Sequence, residues 1–216
     1  MPNLFTASAA AAATLVAAGL SASDARAAFT YTSQATFTAN LTSGYYQETF
    51  QSTGTGGYAT PRNFAGGAGN IWKYTASTTA QAFLVFDLSG NNYLTTSGMP
   101  TTQWSAPITL AFTGAPVFAV GGSFFYTSAG GAVVGGDVFL SLSDGTSITL
   151  SGQSNTTFFG YIGTTPITSL TFTPDATHRF ASIDNLIVGT SPLPAPGAAG
   201  LLALGGLTAA RGGRRR

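Results

Sequence analysis

Between residues 81 and 188 the hydrophobic positions fall into short alternating or bulky runs separated by turn formers, with no sustained helical spacing. Gln81–Leu88 is such a run and closes on Ser89-Gly90-Asn91-Asn92, a turn cluster. Ile108–Phe112 alternates. Val117–Val120 follows a Gly-Ala-Pro break, and Gly121-Gly122 then leads into Ser123–Thr127. Asp137–Leu142 and Thr146–Leu150 flank Ser143-Asp144-Gly145, whose Asp-Gly pair marks a hairpin. Phe158–Ile162, Ile167–Phe172 and Phe180–Val188 complete the series. Strands so spaced, rich in Thr, Phe and Val, predict an all-β β-sandwich or a closed barrel. One short helix is expected near the start. Ser33 caps Gln34–Leu41, Phe37 and Leu41 share a face four residues apart, and Gly44 stops it.

The two ends break this pattern. Residues 1–27 read as a secretory signal peptide. The apolar run Ala7–Leu20 is followed by a more polar stretch, and Ala25-Arg26-Ala27 supplies small residues at an A-x-A cleavage site. The alternative, an alanine-rich helix packed in the fold, needs a charged opposite face that this segment lacks. At the other end Ser191-Pro192-Leu193-Pro194-Ala195-Pro196 precedes an apolar run, Gly197–Ala210, and then Arg211, Arg214, Arg215 and Arg216. A helix over Ala195–Ala210 would be about 24 Å long, short of the roughly 30 Å hydrocarbon layer. As a transmembrane helix it would be a marginal, transient anchor, held by its arginines with the preceding domain outside.

This tail resembles the PEP-CTERM class of bacterial sorting signals, in the variant whose motif reads Val-Pro-Leu-Pro-Ala (VPLPA-CTERM). Pro192, Leu193, Pro194 and Ala195 match the motif, with Ser191 in place of the valine, and the apolar run and arginine cluster follow in order. The resemblance implies recognition of residues 191–216 by an exosortase-type membrane enzyme. It also implies delivery of the domain to the cell surface or to an extracellular polysaccharide matrix, after passage through export machinery and signal peptidase. An ordinary single-span anchor is the alternative. Residues 28–190 are then the folded domain. Within it Gly121–Phe125, Val138–Thr146, Phe158–Ile162, Pro166–Phe172 and Ser182–Gly189 look like the C-terminal half of many PEP-CTERM cargo domains. That resemblance implies a jelly-roll-like β-sandwich, a shape it shares with carbohydrate-binding modules.

Composition narrows the chemistry. Of 216 residues 7% are charged, and the domain carries Arg62, Lys73 and Arg179 against Glu48, Asp87, Asp137, Asp144, Asp175 and Asp184, a net of −3. Nucleic acid needs clustered cations, so it is set aside as a partner. There is no cysteine and one histidine, which excludes disulfides and cysteine-ligated metals. His178 lies in a polar loop without a G-x-S-x-G elbow anywhere in the chain, so no serine triad is expected. A glycosidase needs two facing carboxylates; no pairing is legible among the six here. The glycine-rich stretches Gly54–Gly57 and Gly66–Gly69 lack the Lys-Ser/Thr of a P-loop and read as flexible connections.

No catalytic residue and no cofactor are therefore expected, apart from a possible structural Ca²⁺. Carbohydrate-module jelly rolls often hold calcium between a carboxylate on the first strand and one on the last, and Glu48 and Asp184 occupy comparable positions. The alternative leaves Glu48 solvated and places Asp184 and Asn185 in a turn or a cross-sheet pair. Trp72, Trp104, Tyr58, Tyr74 and Tyr93 can stack on a sugar if exposed, Trp104 first among them, although core packing is the default for such large side chains. The expectation is a non-enzymatic exported protein of structural or adhesive role. A module binding a neutral glycan is the runner-up, and a glycan-processing enzyme comes third.

Overall fold

The computed structural model of the protein describes residues 28–41, 44–80, 82–88, 90–96, 106–175 and 179–190. The expected signal peptide, the sorting motif from Pro192 to Ala195, the four terminal arginines, Trp104 and His178 lie outside the described residues. Two antiparallel sheets pack face to face as a sandwich, not as a closed barrel. In chain order the strands are β1 (Phe29–Tyr31), β2 (Tyr45–Glu48), β3 (Gly56–Ala59), β4 (Arg62–Gly66), β5 (Trp72–Thr78), β6 (Ala82–Leu88), β7 (Asn91–Thr96) and β8 (Ile108–Phe112). They continue with β9 (Ala119–Thr127), β10 (Val133–Val134), β11 (Val138–Leu142), β12 (Ser147–Leu150), β13 (Phe159–Ile162), β14 (Ser169–Thr173) and β15 (Phe180–Gly189). The larger sheet runs β1-β13-β9-β15-β7-β6-β3, with β2 also on β15 and β10 on β9. The smaller runs β12-β11-β14-β8-β5-β4.

Alternation decides which side chains meet. On β5, Trp72, Tyr74 and Ala76 are buried while Lys73, Thr75 and Ser77 face out; on β11, Val138, Leu140 and Leu142 are buried while Phe139 and Ser141 are exposed. These inward residues join Phe83, Val85, Leu94, Phe124, Tyr126, Ile183, Leu186 and Val188 of the larger sheet in one inter-sheet core. The Asp-Gly hairpin forms as expected. Asp144 Oδ1 accepts from the Thr146 N–H at 2.9 Å, and Gly145 takes φ +91°, open to glycine at no steric cost. Asp144 Oδ2 also accepts from the Tyr161 hydroxyl at 2.8 Å, which ties the turn to β13.

The short helix also forms. α1 (Gln34–Ala39) begins at Ser33, whose side chain accepts from the Thr36 N–H at 3.5 Å, and it ends two residues earlier than expected. Its apolar face covers part of the larger sheet's outer side, where Phe37 and Leu41 meet Ala119, Ile162 and Ile187. β9 runs straight through Gly121 and Gly122, so the end of the Val117–Val120 run and Ser123–Thr127 form one strand. The glycines serve close packing. Gly121 pairs with Gly160 on β13, and a Cβ on Gly160 would fall 2.5 Å from the Phe37 ring. The two glycines make a slot in which that ring lies against bare backbone, flanked by Tyr31 at 5.6 Å and Phe158 at 5.5 Å. Gly56-Gly57 and Gly66, read as loop glycines, likewise lie in β3 and β4. No helix among the described residues is long and apolar enough to cross a membrane.

Filling the slot tests this packing. Gly160→Ala is expected to lower stability by about 1–3 kcal/mol through overpacking against Phe37, measured by urea denaturation. An unchanged midpoint would mean that Phe37 is not seated there.

Candidate functional site

The two carboxylates singled out in the sequence lie at the centre of the larger sheet, on β2 and β15, and both are buried. Glu48 pairs with Leu186, and its side chain enters the inter-sheet core together with Tyr46. Its Oε2 accepts from the Tyr46 hydroxyl at 2.7 Å and its Oε1 from the Phe50 N–H at 2.8 Å. That second bond holds an unusual residue: Phe50 is wholly buried and has φ +57°, a left-handed backbone for a bulky side chain. The Phe50 carbonyl accepts from the Thr53 N–H at 3.0 Å and from Asn92 Nδ2 at 3.3 Å, so the turn is bonded on both sides. Glu48 is thus a buried bracket for the turn after β2. Burial, and then the hydrogen bond to Glu48, push the Tyr46 hydroxyl well above its ordinary pKa. The Tyr74 hydroxyl, buried without a hydrogen-bond partner, is pushed up by desolvation and then by the Glu48 charge.

Asp184 points the other way. Ile183 enters the inter-sheet core, so Asp184, opposite Ser123 of β9, lies on the outer face. A bulge between Asp184 and Ile187, with Asn185 at φ +51°, resets the alternation so that Leu186 faces inward again. Asp184 Oδ1 accepts from the Asn185 N–H at 2.6 Å and Oδ2 from Asn185 Nδ2 at 3.0 Å. Asn185 Oδ1 accepts from Gln47, and Gln47 Oε1 from Gln34 of α1, which makes a polar chain across the outer face. Burial raises the Asp184 carboxyl to about 6, partly offset by the Asn185 N–H. Glu48 and Asp184 therefore sit on opposite faces of one sheet, and the structure does not bring them to a shared site. Asp184 and Asn185 lie within β15 at its bulge, not in a turn, and Glu48 is buried rather than solvated.

The aromatic candidates are mostly in the core. Trp72, Tyr74 and Tyr93 are buried, and the Tyr93 hydroxyl donates to the Gly131 carbonyl at 3.0 Å. Tyr58 is covered by the Arg62 guanidinium, 3.9 Å from the ring centroid. Among the described residues no three His, Asp or Glu side chains gather where they could hold a metal. No protein-family model, curated protein or solved structure matches the chain.

Two surfaces stand out that the sequence did not reveal. On the outer face of the smaller sheet, Ser77, Thr109, Thr171, Ser141 and Ser147 are successive register partners on five strands. At about 4.8 Å per strand they form a neutral hydroxyl row roughly 19 Å long. The residue types were visible, but their alignment depends on strand order. The second surface is a cleft of about 560 Å³. Tyr31 pairs with Gly160, so the chain leaving β1 lies beside the chain entering β13. Thr32, Ser33 and Gln34 line one wall and Gln153, Thr156, Thr157 and Phe158 the other. No side chain in the lining is charged.

Replacing Glu48 separates its roles. Glu48→Ala leaves the Phe50 N–H and Tyr46 hydroxyl without their acceptor and should cost about 1–3 kcal/mol in chemical denaturation. Glu48→Gln keeps an acceptor for Phe50 and offers its amide to Tyr46, so a smaller loss is expected. Asp184 adds a pH dependence. Its folded pKa lies above the ordinary 3.8, so the folded state binds the proton more tightly. Stability should rise as pH falls through about 6 toward 3.8, and Asp184→Asn should flatten that stretch of a Tm-versus-pH curve.

Proposed function

We propose that this chain is an exported, exosortase-sorted protein of the bacterial surface or polysaccharide matrix, with a structural or adhesive, non-catalytic role. The observation that carries the reading is the order of features in residues 191–216: the Pro-Leu-Pro-Ala motif, then an apolar run, then four arginines. The body suits that destination. Without cysteine, its stability rests on an aromatic-rich core, and one sheet of its sandwich presents a row of neutral hydroxyls. A face of this kind exchanges hydrogen bonds with a hydrated, uncharged polymer without the desolvation penalty of buried ions.

A second reading, a module that binds a neutral glycan, is favoured by the uncharged cleft between β1–α1 and the segment before β13.

Processing decides the leading reading. Expressed in a host with an exosortase-type enzyme, the mature protein is expected to lose mass at both ends and to fractionate with the surface or matrix. Replacing Pro192 and Pro194 by alanine should leave a larger, tail-retaining species in the membrane. Soluble, full-length protein accumulating in the cytosol would overturn the proposal.

A further inference from the structure

We propose that the cleft between Gln34 and Gln153 is a binding site for a single unit of a neutral sugar chain. This rests on the second reading above, and it assigns the site to residues other than Trp104. The cleft, about 560 Å³, falls within the range of small-ligand sites, roughly 300–1,000 Å³. Its lining matches the two surfaces of a pyranose. Phe158 supplies aromatic surface for an apolar C–H face, while Thr32, Gln34, Gln153 and Thr156 supply neutral donors and acceptors for hydroxyls.

The amides are held but not used up. Gln34 Nε2 donates to Gln47 Oε1 at 3.3 Å and Gln153 Nε2 to the Ser151 carbonyl at 3.0 Å, bonds that engage the amide nitrogens and not the carbonyl oxygens. A charged ligand finds no counter-charge in the lining, and a purely apolar one would strand the amides and hydroxyls. The walls are also set in advance. Thr157 Oγ1 accepts from the Ser154 N–H and donates to the Ser154 carbonyl, both at 2.8 Å, and Phe158 rests on Phe37 of the helix. Little ordering is left for the ligand to impose.

The test uses the full chain in a detergent without a sugar headgroup. Calorimetric titrations employ short oligosaccharides of glucose, galactose and mannose, with oligouronates of matched length as the charged comparison. Binding of a neutral oligosaccharide and not of the uronates is expected. Gln34→Ala and Gln153→Ala should each weaken it about tenfold, and Gln153→Ala, whose side chain bonds only the exposed Ser151 carbonyl, should leave the melting midpoint unchanged. Phe158→Ala should weaken it further, and is read against those two because Phe158 also packs on Phe37. Undiminished binding by the Gln34→Ala/Gln153→Ala double variant would overturn the cleft while leaving a glycan-binding module standing. No binding to any neutral oligosaccharide would overturn both, and the mature mass would still decide export separately.

Discussion

β15 has to be buried on both faces while bonded along both edges, and the rest of the sandwich is arranged around that requirement. It pairs with β9 along most of its length, with β7 at Ser182–Ile183 and with β2 at Leu186–Gly189. Simple alternation would give this strand one inner and one outer row. The bulge at Asn185 breaks it into two segments, each with its own register, and the left-handed backbone of Asn185 absorbs the extra residue. β9 accommodates it because Gly122 brings no side chain: a Cβ there would fall 3.1 Å from the Asp184 carbonyl. Beyond the bulge, Ile187 faces the Phe37 slot while Leu186 and Val188 enter the main core. The helix, the glycine pair and the last strand are thus one packing unit.

The same strand explains where polar groups are buried. Before the bulge, Ser182 bonds Thr95 and Thr127 at 2.9 Å each, and those two approach to 3.3 Å. This closed triangle satisfies hydroxyls that would otherwise be stranded in a buried sheet face. Asp184 is less fully compensated: its bonds come from one neighbour, Asn185, and its raised pKa registers the remaining desolvation. Glu48, on the inner face of the same sheet, has both oxygens engaged and stabilises the left-handed Phe50. Each buried carboxylate is occupied with backbone geometry, and each shapes a turn or a bulge.

Two neutral surfaces remain for interaction. The exposed hydroxyl row and the amide-lined cleft both lie at the surface of a domain with few ions, and they differ in scale. The row is long and flat, suited to many weak contacts with a polymer. The cleft is compact and partly pre-formed, suited to one sugar unit. The proposed adhesive role would draw on both, since a localised contact supplies selectivity and a broad one supplies retention.

Alternation, the Asp-Gly turn and the Ser33 cap were legible because each depends on neighbours within a few residues. They predicted β6, β8, β9, β11 to β15, the β11–β12 hairpin and α1, whereas Asn91-Asn92, read as part of a turn, opens β7. The early strands β2 to β5 were not recognised, since Gly56-Gly57 and Gly66 read as loop and become strand only beside β6 and β5. Residue chemistry marked Glu48 and Asp184 but could not tell which face each would occupy, because the bulge at Asn185, far from Glu48 in the chain, sets the parity of β15. Strand order likewise aligned Ser77 with Ser147 and brought Gln34 to Gln153. The chain by itself determined local conformation, charge and the marks at its ends. Which side chains share a face or a cleft was decided by tertiary pairing, because register and sheet order arise from contacts between segments far apart in sequence.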